Sequence, residues 1–283
     1  MLTDFIRVYN FLQETYDPIT LNSFLLPQYF EYAHTHREFN PKLTHRFGLW
    51  EENDQIVGIA CYEMDLGEVH LHYRKGYGFL LPELLDWAEN ELYTIKDGQR
   101  ELRVWITDRE PDKRQLLQNE GYELTRSHEL LIFDYQNEFV IPSLPEGFAL
   151  IDGMKVDYQK LHACFWKGFN RGDTPDDNVD CRVHNFNAPH FDLSLMKIVV
   201  APNGEYACAL GMWFDEKNKY AYLEPLATVP EYRRLGLATI ALMEAMKKTK
   251  GLGATFCFGG WNEFYPAIGF EKIGEQELWS KSH

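Results

Sequence analysis

The chain of 283 residues is poor in the features that mark several common protein classes. Its five cysteines, Cys61, Cys164, Cys181, Cys208 and Cys257, are odd in number and widely spaced, with no C-x-x-C pair. That excludes a disulfide framework and the usual zinc spacings. Runs of apolar residues stay well short of the about 18 that a membrane-spanning helix needs. The opening Met1-Leu-Thr-Asp-Phe-Ile-Arg7 lacks the basic-then-apolar order of a secretory leader. Positive charge is scarce, with 28 basic residues against 43 acidic ones and a formal net charge of −15. Non-specific nucleic-acid binding needs a positive field to displace counterions, so that class is set aside. The expectation is a cytoplasmic protein with no metal, no membrane partner and no nucleic-acid partner. An acidic surface serves solubility, and it also draws cationic small molecules toward the protein.

What is present is the material for two packed domains. Hydrophobic residues make up 45% and aromatics 15%, enough to fill a core in each half. The stretch Gln136-Asn-Glu-Phe-Val-Ile-Pro-Ser-Leu-Pro-Glu-Gly147 breaks regular structure and marks a linker, giving domains at 1–140 and 141–283. In the first, strands are read at Ile56–Tyr62 and Val69–His72, followed by Arg74-Lys-Gly-Tyr-Gly78. Next comes a helix on Leu81, Leu84, Leu85, Ala88 and Leu92 with Pro82 in its first turn, and then a strand at Leu102–Ile106. In the second, strands at Tyr206–Phe214 and Tyr220–Val229 lead into a helix carrying Ile240, Met243 and Met246 on one face. A short strand, Ala254–Phe258, follows. Gly58, Gly76 and Gly121 recur in this order as Gly211, Gly236 and Gly269, which reads as two copies of one α/β unit.

The segment Glu224-Pro-Leu-Ala-Thr-Val-Pro-Glu-Tyr-Arg-Arg-Leu-Gly-Leu-Ala-Thr239 runs from a strand through a glycine turn into a helix. Unpaired N–H groups and the positive end of the helix dipole make such a turn a site for a pyrophosphate. Gly236 permits close approach, Ala238 keeps a side chain out of the way, and Arg233 and Arg234 add charged donors. Taken alone, an Arg-Arg pair at a helix start is more often a solvated surface feature.

Arg233-x-x-Gly236-x-Ala238 resembles the R/Q-x-x-G-x-G/A signature of the GNAT acetyltransferase superfamily, and Tyr265-Pro-Ala-Ile-Gly-Phe270 resembles that family's Tyr-x-x-x-Gly-Phe. The resemblance implies a mixed α/β fold, with two tandem GNAT-like domains, each a twisted mixed β-sheet flanked by helices. It implies acetyl-CoA as cosubstrate. Backbone groups of Leu226, Ala227 and Thr228 would hold the pantetheine arm. The amides of Arg234, Leu235, Gly236, Leu237, Ala238 and Thr239 would hold the pyrophosphate. Pro225 fits the bulge at which the family's strand parts from its neighbour. Many members have an asparagine seven residues before the tyrosine; here Phe258 stands there and Asn262 lies only three before.

Amide formation needs an amine stripped of its proton, since an alkylammonium titrates near about 10.4. Glu224 is the candidate base or acceptor-binding group, with a solvated strand-end carboxylate as the alternative. Tyr265 matches the family's general acid, although a tyrosine beside Trp261, Phe264 and Phe270 can also be plain core. The acceptor pocket is expected from Phe169–Asp177 and Ala188–Phe191. There Asp173, Asp176 and Asp177 either recognise a cation or are simply solvated, His190 is a second base or a structural residue, and Trp213 is a pocket wall or core. The first half carries Tyr73 where the second has Arg233 and Leu117 where it has Tyr265, so it reads as a degenerate repeat. His70 and His72 share a strand face without a third metal ligand. The expected function is N-acetylation of a small cationic amine by a monomer or homodimer. The alternatives are acetylation of a protein N-terminus or lysine, and an idle acyl-CoA sensor.

Overall fold

A computed structural model of the chain describes residues 2–282. They form two compact units, Met1–Leu130 with Lys272–His283, and Leu131–Glu271.

The first unit contains helices α1 (Leu2–Glu14) and α2 (Pro27–Thr35), then strands β1 (Gly48–Glu52), β2 (Gln55–Tyr62) and β3 (Glu68–Tyr73). Helix α3 (Leu81–Glu91), strands β4 (Thr94–Lys96) and β5 (Gln99–Thr107), and helix α4 (Pro111–Asn119) follow, before β6 (Glu123–Asp134). Its sheet runs β1-β2-β3-β5, with β3 and β5 parallel. The strand period of two divides β2 between two cores. Ala60 and Tyr62 pack with Leu81, Leu84, Leu85 and Ala88 of α3. Ile59 and Cys61 pack with Val8, Phe11 and Leu12 of α1. The apolar positions read as a helix from Leu81 are the buried ones, and Pro82 sits in the first turn.

The segment between α1 and α2 is unusual. Leu21, Asn22, Ser23 and Phe24 all have positive φ, at 57°, 50°, 56° and 59°, so one turn winds left-handed without a glycine. Each such L-residue costs about 1–2 kcal/mol, so only strong fixation by the surroundings holds the turn. All four residues are buried.

Three histidines of this unit are held neutral by burial. Desolvation depresses His34 to about 4 and His70 to about 3, and it lowers His72 well below the ordinary value. Below pH of about 6.5 the unfolded chain binds protons that the folded chain refuses. Their contribution is therefore complete above that pH and is lost as pH falls toward about 4 for His34 and about 3 for His70. Between pH 7.5 and 5, His34 and His70 should each remove roughly 2 kcal/mol. Urea midpoints compared at pH 7.5 and 5.0 check this; equal midpoints would contradict it.

The second unit contains β7 (Ala149–Asp152), α5 (Tyr158–Gly168), α6 (Asp180–Phe186), β8 (Lys197–Val200), β9 (Tyr206–Asp215) and β10 (Tyr220–Thr228). Helix α7 (Leu237–Gly251), β11 (Phe256–Phe258) and α8 (Phe264–Ala267) complete it. The sheet runs β11-β10-β9-β8-β7, and Phe256–Phe258 also pair with the end of β6. Cys208, Leu210 and Met212 of β9 pack beneath Leu237, Ala241, Leu242 and Met246 of α7. Ala209 turns to the other face, under Leu161, Cys164 and Phe165 of α5. Each large side chain buried this way contributes about 1.5–3 kcal/mol, which fixes α7 and α5 on opposite faces of β10.

The last strand, β12 (Glu271–Ser282), differs from the expected division of the chain. It pairs antiparallel with β5, from Gln276 opposite Thr107 to Ser282 opposite Glu101, and so belongs with the first unit. The first unit also ends at Leu130 rather than at the punctuated stretch near residue 140. Local composition marks where the chain turns, whereas strand pairing across this much sequence decides which core it joins.

Candidate active site

Strand β10 is built to open. Its pairing with β9 places Leu223 opposite Met212 and Leu226 opposite Leu210, a bulge of the kind expected around Pro225. The Glu224–Pro225 peptide is cis. The displaced Glu224 carbonyl accepts the Trp213 indole N–H at 2.9 Å. Gly211 is required beneath it, since a Cβ there would lie 2.5 Å from that carbonyl oxygen. On its other edge β10 pairs in parallel with β11 only through Tyr220–Tyr222, while the strand itself continues to Thr228. The strands therefore separate beyond Tyr222, and Leu226, Ala227 and Thr228 line a cleft of about 540 Å³.

The rest of the cleft comes from the loop into α7 and from α8. Arg233, Arg234, Gly236, Leu237, Ala238 and Thr239 line one end, and Asn262, Phe264 and Tyr265 line the other. Gly236 is the N-cap of α7 with φ 77°, and no side chain caps that end. Arg234 also has positive φ, at 67°. The first-turn amides of a 15-residue helix and its dipole thus face the cleft, with no acidic residue in that first turn.

Arg233 is placed differently from the free donor that the sequence suggests. Its Nε donates to the Thr228 carbonyl at 3.1 Å. Its Nη2 donates to the Gly168 carbonyl and to Asn170 Oδ1, each at 2.9 Å. The guanidinium ties the loop to the end of β10 and to the end of α5. Gly168 must be small there, because a Cβ would come within 2.7 Å of Ala227 Cβ. On the expectation, implied by the resemblance, that the cleft takes acetyl-CoA, Arg233→Ala should loosen the loop and raise the apparent Kd by about ten-fold, the scale of one charge-assisted contact set. Titration calorimetry checks this; unchanged affinity would show that the latch does not organise the loop.

Tyr265 lies inside the aromatic group noted in the sequence, yet its ring also lines the cleft. Phe264 and Phe270 each pack edge-on at 5.2 Å. Gly259 and Gly260 close around the ring; a Cβ on Gly260 would lie 2.6 Å from its edge. Burial, and then the nearby charge of Glu224, push the phenol above its ordinary value, and a backbone hydrogen bond from Gly260 opposes them. The phenol is thus protonated throughout the physiological range, and Glu224 is near enough to be felt. Asn262 makes a local turn, its Oδ1 accepting the Phe264 N–H at 3.1 Å and its carbonyl the Tyr265 N–H at 3.2 Å. Phe258 is fully buried between Tyr220 and Phe256.

The other residues singled out divide by role. Trp213 is completely buried, with Phe191 edge-on at 4.7 Å, so it backs Glu224 and does not form an open wall. Asp176 is engaged by His162, whose Nε2 donates to its carbonyl at 3.0 Å and to its Oδ1 at 3.1 Å. Asp173, Asp177 and His190 are exposed. Gly168, Gly259, Gly260 and Asn170 are the supporting residues that motif spacing did not reveal, with the Gly259-Gly260 doublet their one visible signal; Gly211 had entered only as the counterpart of Gly58 in the repeat. Among the described residues no group of three or more His, Cys, Asp or Glu is placed to hold a metal ion, and no helix is long and apolar enough to cross a membrane.

The cleft is thus built from a strand with a bulge, its parting from its parallel neighbour, and an uncapped glycine-led helix. Residues 159–270 match the model of the Acetyltransferase (GNAT) family, so the chain carries a GNAT-family domain. Both units together share the fold of tandem GNAT proteins. One such protein, from the clavulanic acid biosynthesis pathway, aligns over 98% of this chain and 94% of its own, with TM-score 0.60 at 11% identity. A GCN5-related N-acetyltransferase from Sphaerobacter thermophilus aligns over 81% and 78%, with TM-score 0.59 at 14% identity. A GNAT-family acetyltransferase from Colwellia psychrerythraea aligns over 100% and 97%, with TM-score 0.57 at 14% identity. Comparison with curated proteins finds no match.

Proposed function

We propose that the second unit transfers an acetyl group from acetyl-CoA to the primary amine of a small, cationic molecule. The observation that carries this reading is a cleft with Tyr265 at one end and the α7 amides at the other, where the charge of Glu224 is close enough to raise the phenol. The amides of Arg234 to Thr239 hold the pyrophosphate, and the parted edge of Leu226–Thr228 holds the pantetheine arm. Glu224 takes the proton of the ammonium, directly or through water. The amine nitrogen attacks the thioester carbonyl, the C–S bond breaks as the tetrahedral adduct collapses, Tyr265 protonates the leaving thiolate, and the proton that the nitrogen sheds in becoming an amide restores the phenol.

The two proton transfers assist one another. The Glu224 charge is one cause of Tyr265's tight hold on its proton. Once Glu224 accepts the proton of the amine, that charge is gone and the phenol becomes a stronger acid at the moment the thiolate forms. A half-buried carboxylate and a net charge of −15 both favour a cationic acceptor over an anionic one. The test is CoA release from acetyl-CoA in the presence of polyamines, aminoglycoside-like compounds, amino-acid derivatives and peptide N-termini. Small polyvalent amines should give the highest kcat/KM. Tight acetyl-CoA binding with no amine-dependent release would overturn catalysis and leave a sensor; preference for peptides would overturn the acceptor class.

A further inference from the structure

The first unit has an open cleft of its own, of about 680 Å³, lined by first-unit residues alone. One part of its wall is the end of β3 and the loop after it, His72 to Gly76, beyond the last parallel pair with β5 at His70–Trp105. Another is the start of α4, from Arg109 to Lys113, and the segment that follows α1 completes it. The loop offers no row of free amides to a pyrophosphate. The Leu80 N–H is bound to the Tyr77 carbonyl and the Leu81 N–H to the Gly78 carbonyl, and Pro82 has no N–H to give.

The lining is charged in both signs. Arg74, Lys75, Arg109 and Lys113 are matched by Glu14, Asp17, Glu110 and Asp112. Several of these charges are satisfied within the protein. Arg74 pairs with Glu14 at 3.1 Å, and buried Lys113 pairs with buried Glu110 at 2.7 Å. Lys113 Nζ also donates to Ser23 Oγ and to the Leu71 carbonyl, both at 2.7 Å. Glu110 Oε2 accepts the Ser23 hydroxyl and the Thr107 N–H, each at 2.9 Å, so this part of the wall is fixed. Asp17 accepts the Ile19 N–H at 2.9 Å and the Thr20 hydroxyl at 3.3 Å. Lys75, Arg109 and Asp112 are exposed. Arg109 makes one long bond, to the Ile19 carbonyl at 3.4 Å, and among the described residues Lys75 and Asp112 make no side-chain hydrogen bond or ion pair.

A fourth group in the lining is a bare ring nitrogen. Thr15 Oγ1 gives its hydrogen to the Phe11 carbonyl at 2.7 Å, so in its 2.7 Å contact with His72 Nε2 the ring N–H is the donor. Asn22 Nδ2, 3.4 Å from the same nitrogen, donates to the Thr15 carbonyl at 2.6 Å. Burial, and then the charge of Lys113, hold His72 neutral, and a neutral imidazole carries one N–H. Its Nδ1 is therefore an acceptor, and among the described residues it has no hydrogen-bond partner. A histidine 5% exposed thus brings an unpartnered acceptor to an open cleft.

We propose that this cleft binds a small zwitterion of the amino-acid type, with its ammonium group toward His72 and Asp112 and its carboxylate toward Lys75 and Arg109. A simple anion would leave Asp112 and the imidazole nitrogen without a donor, and a simple cation would leave Lys75 and Arg109 without an acceptor. The volume has room for a side chain, with the Tyr73 ring and Ile19 as apolar surface for it. The site needs no acyl-CoA and does not depend on the acetyl-transfer reading of the second unit.

The test is calorimetry on the full chain with each of the twenty amino acids, followed by hydrogen exchange with the tightest. At least one should bind one per chain with Kd below about 1 mM. The corresponding acid without the amino group, and the corresponding amine without the carboxylate, should each bind at least about ten-fold more weakly. Residues 72–76 and 109–113 should gain protection. Lys75→Glu combined with Arg109→Glu changes exposed positions only, and it should abolish this binding while leaving the melting temperature unchanged. No binding by any of the twenty, equal binding of either truncated analogue, or full affinity in the double variant would each overturn the site. Protection confined to 169–177 or 226–239 would also overturn it, by placing the amino acid in the second unit.

Discussion

Replacing Tyr265 by phenylalanine should lower kcat by about 100- to 1,000-fold while acetyl-CoA affinity stays within about two-fold, because general acid catalysis accounts for rate and not for cofactor binding. The ring contacts with Phe264 and Phe270 and the packing of Gly259 and Gly260 involve the ring carbons and survive the change. Only the hydroxyl and its bond from Gly260 are lost. The deficit should shrink with thioesters of more acidic thiols, whose thiolates need less protonation. Burial and the Glu224 charge hold the phenol above its ordinary value, so wild-type kcat should show no alkaline loss from Tyr265 before about pH 10. A Tyr265→Phe enzyme with unaltered kcat would remove the phenol from the chemistry and return it to the aromatic core.

The parts of this site that could be read from sequence are those fixed by local constraints. Gly236 was legible from its place in Arg233-x-x-Gly236-x-Ala238 and from the close approach a glycine permits, and its φ of 77° adds a conformational reason. The bulge was legible through Pro225, which cannot donate to a ladder. The helices on Leu81 and on Ile240 were legible because their buried faces repeat at the helical period. What could not be read depends on pairings between distant segments. Arg233 was legible as a charged donor beside the helix start, but nothing local showed that its Nη2 also reaches back to Gly168 and Asn170 while the residue lines the cleft. Trp213 read as either a pocket wall or core, and the sequence could not decide because the partner of its indole is a carbonyl displaced by a bulge in another strand. The return of β12 to β5, and the turn Leu21–Phe24 between β3 and β5, carry no periodic signal at all. Ser23, Glu110 and Lys113 are unremarkable in sequence and become a buried, mutually satisfied cluster only when three segments meet.

Gly236→Glu should weaken acetyl-CoA binding by at least about 100-fold, through two effects with the same sign. Space is not the obstacle, since a Cβ at this position would meet nothing closer than Pro142 at 3.8 Å. Conformation is, because φ is 77° and a glutamate would carry the left-handed cost of about 1–2 kcal/mol or shift the turn away from it. A shift would re-aim the amides that follow. The carboxylate would also sit at the positive end of α7, satisfying those amides and repelling a pyrophosphate. Gly236→Ala separates the contributions, as it keeps the conformational cost and omits the charge; about ten-fold weakening is expected there. The folded state should persist in both variants, because the position lies outside the buried face of α7 formed by Leu237, Ile240, Ala241 and Met243. Calorimetric titration with acetyl-CoA, alongside a thermal melt to confirm folding, measures each effect. A folded Gly236→Glu protein that binds acetyl-CoA as tightly as the wild type would place the pyrophosphate somewhere other than the start of α7.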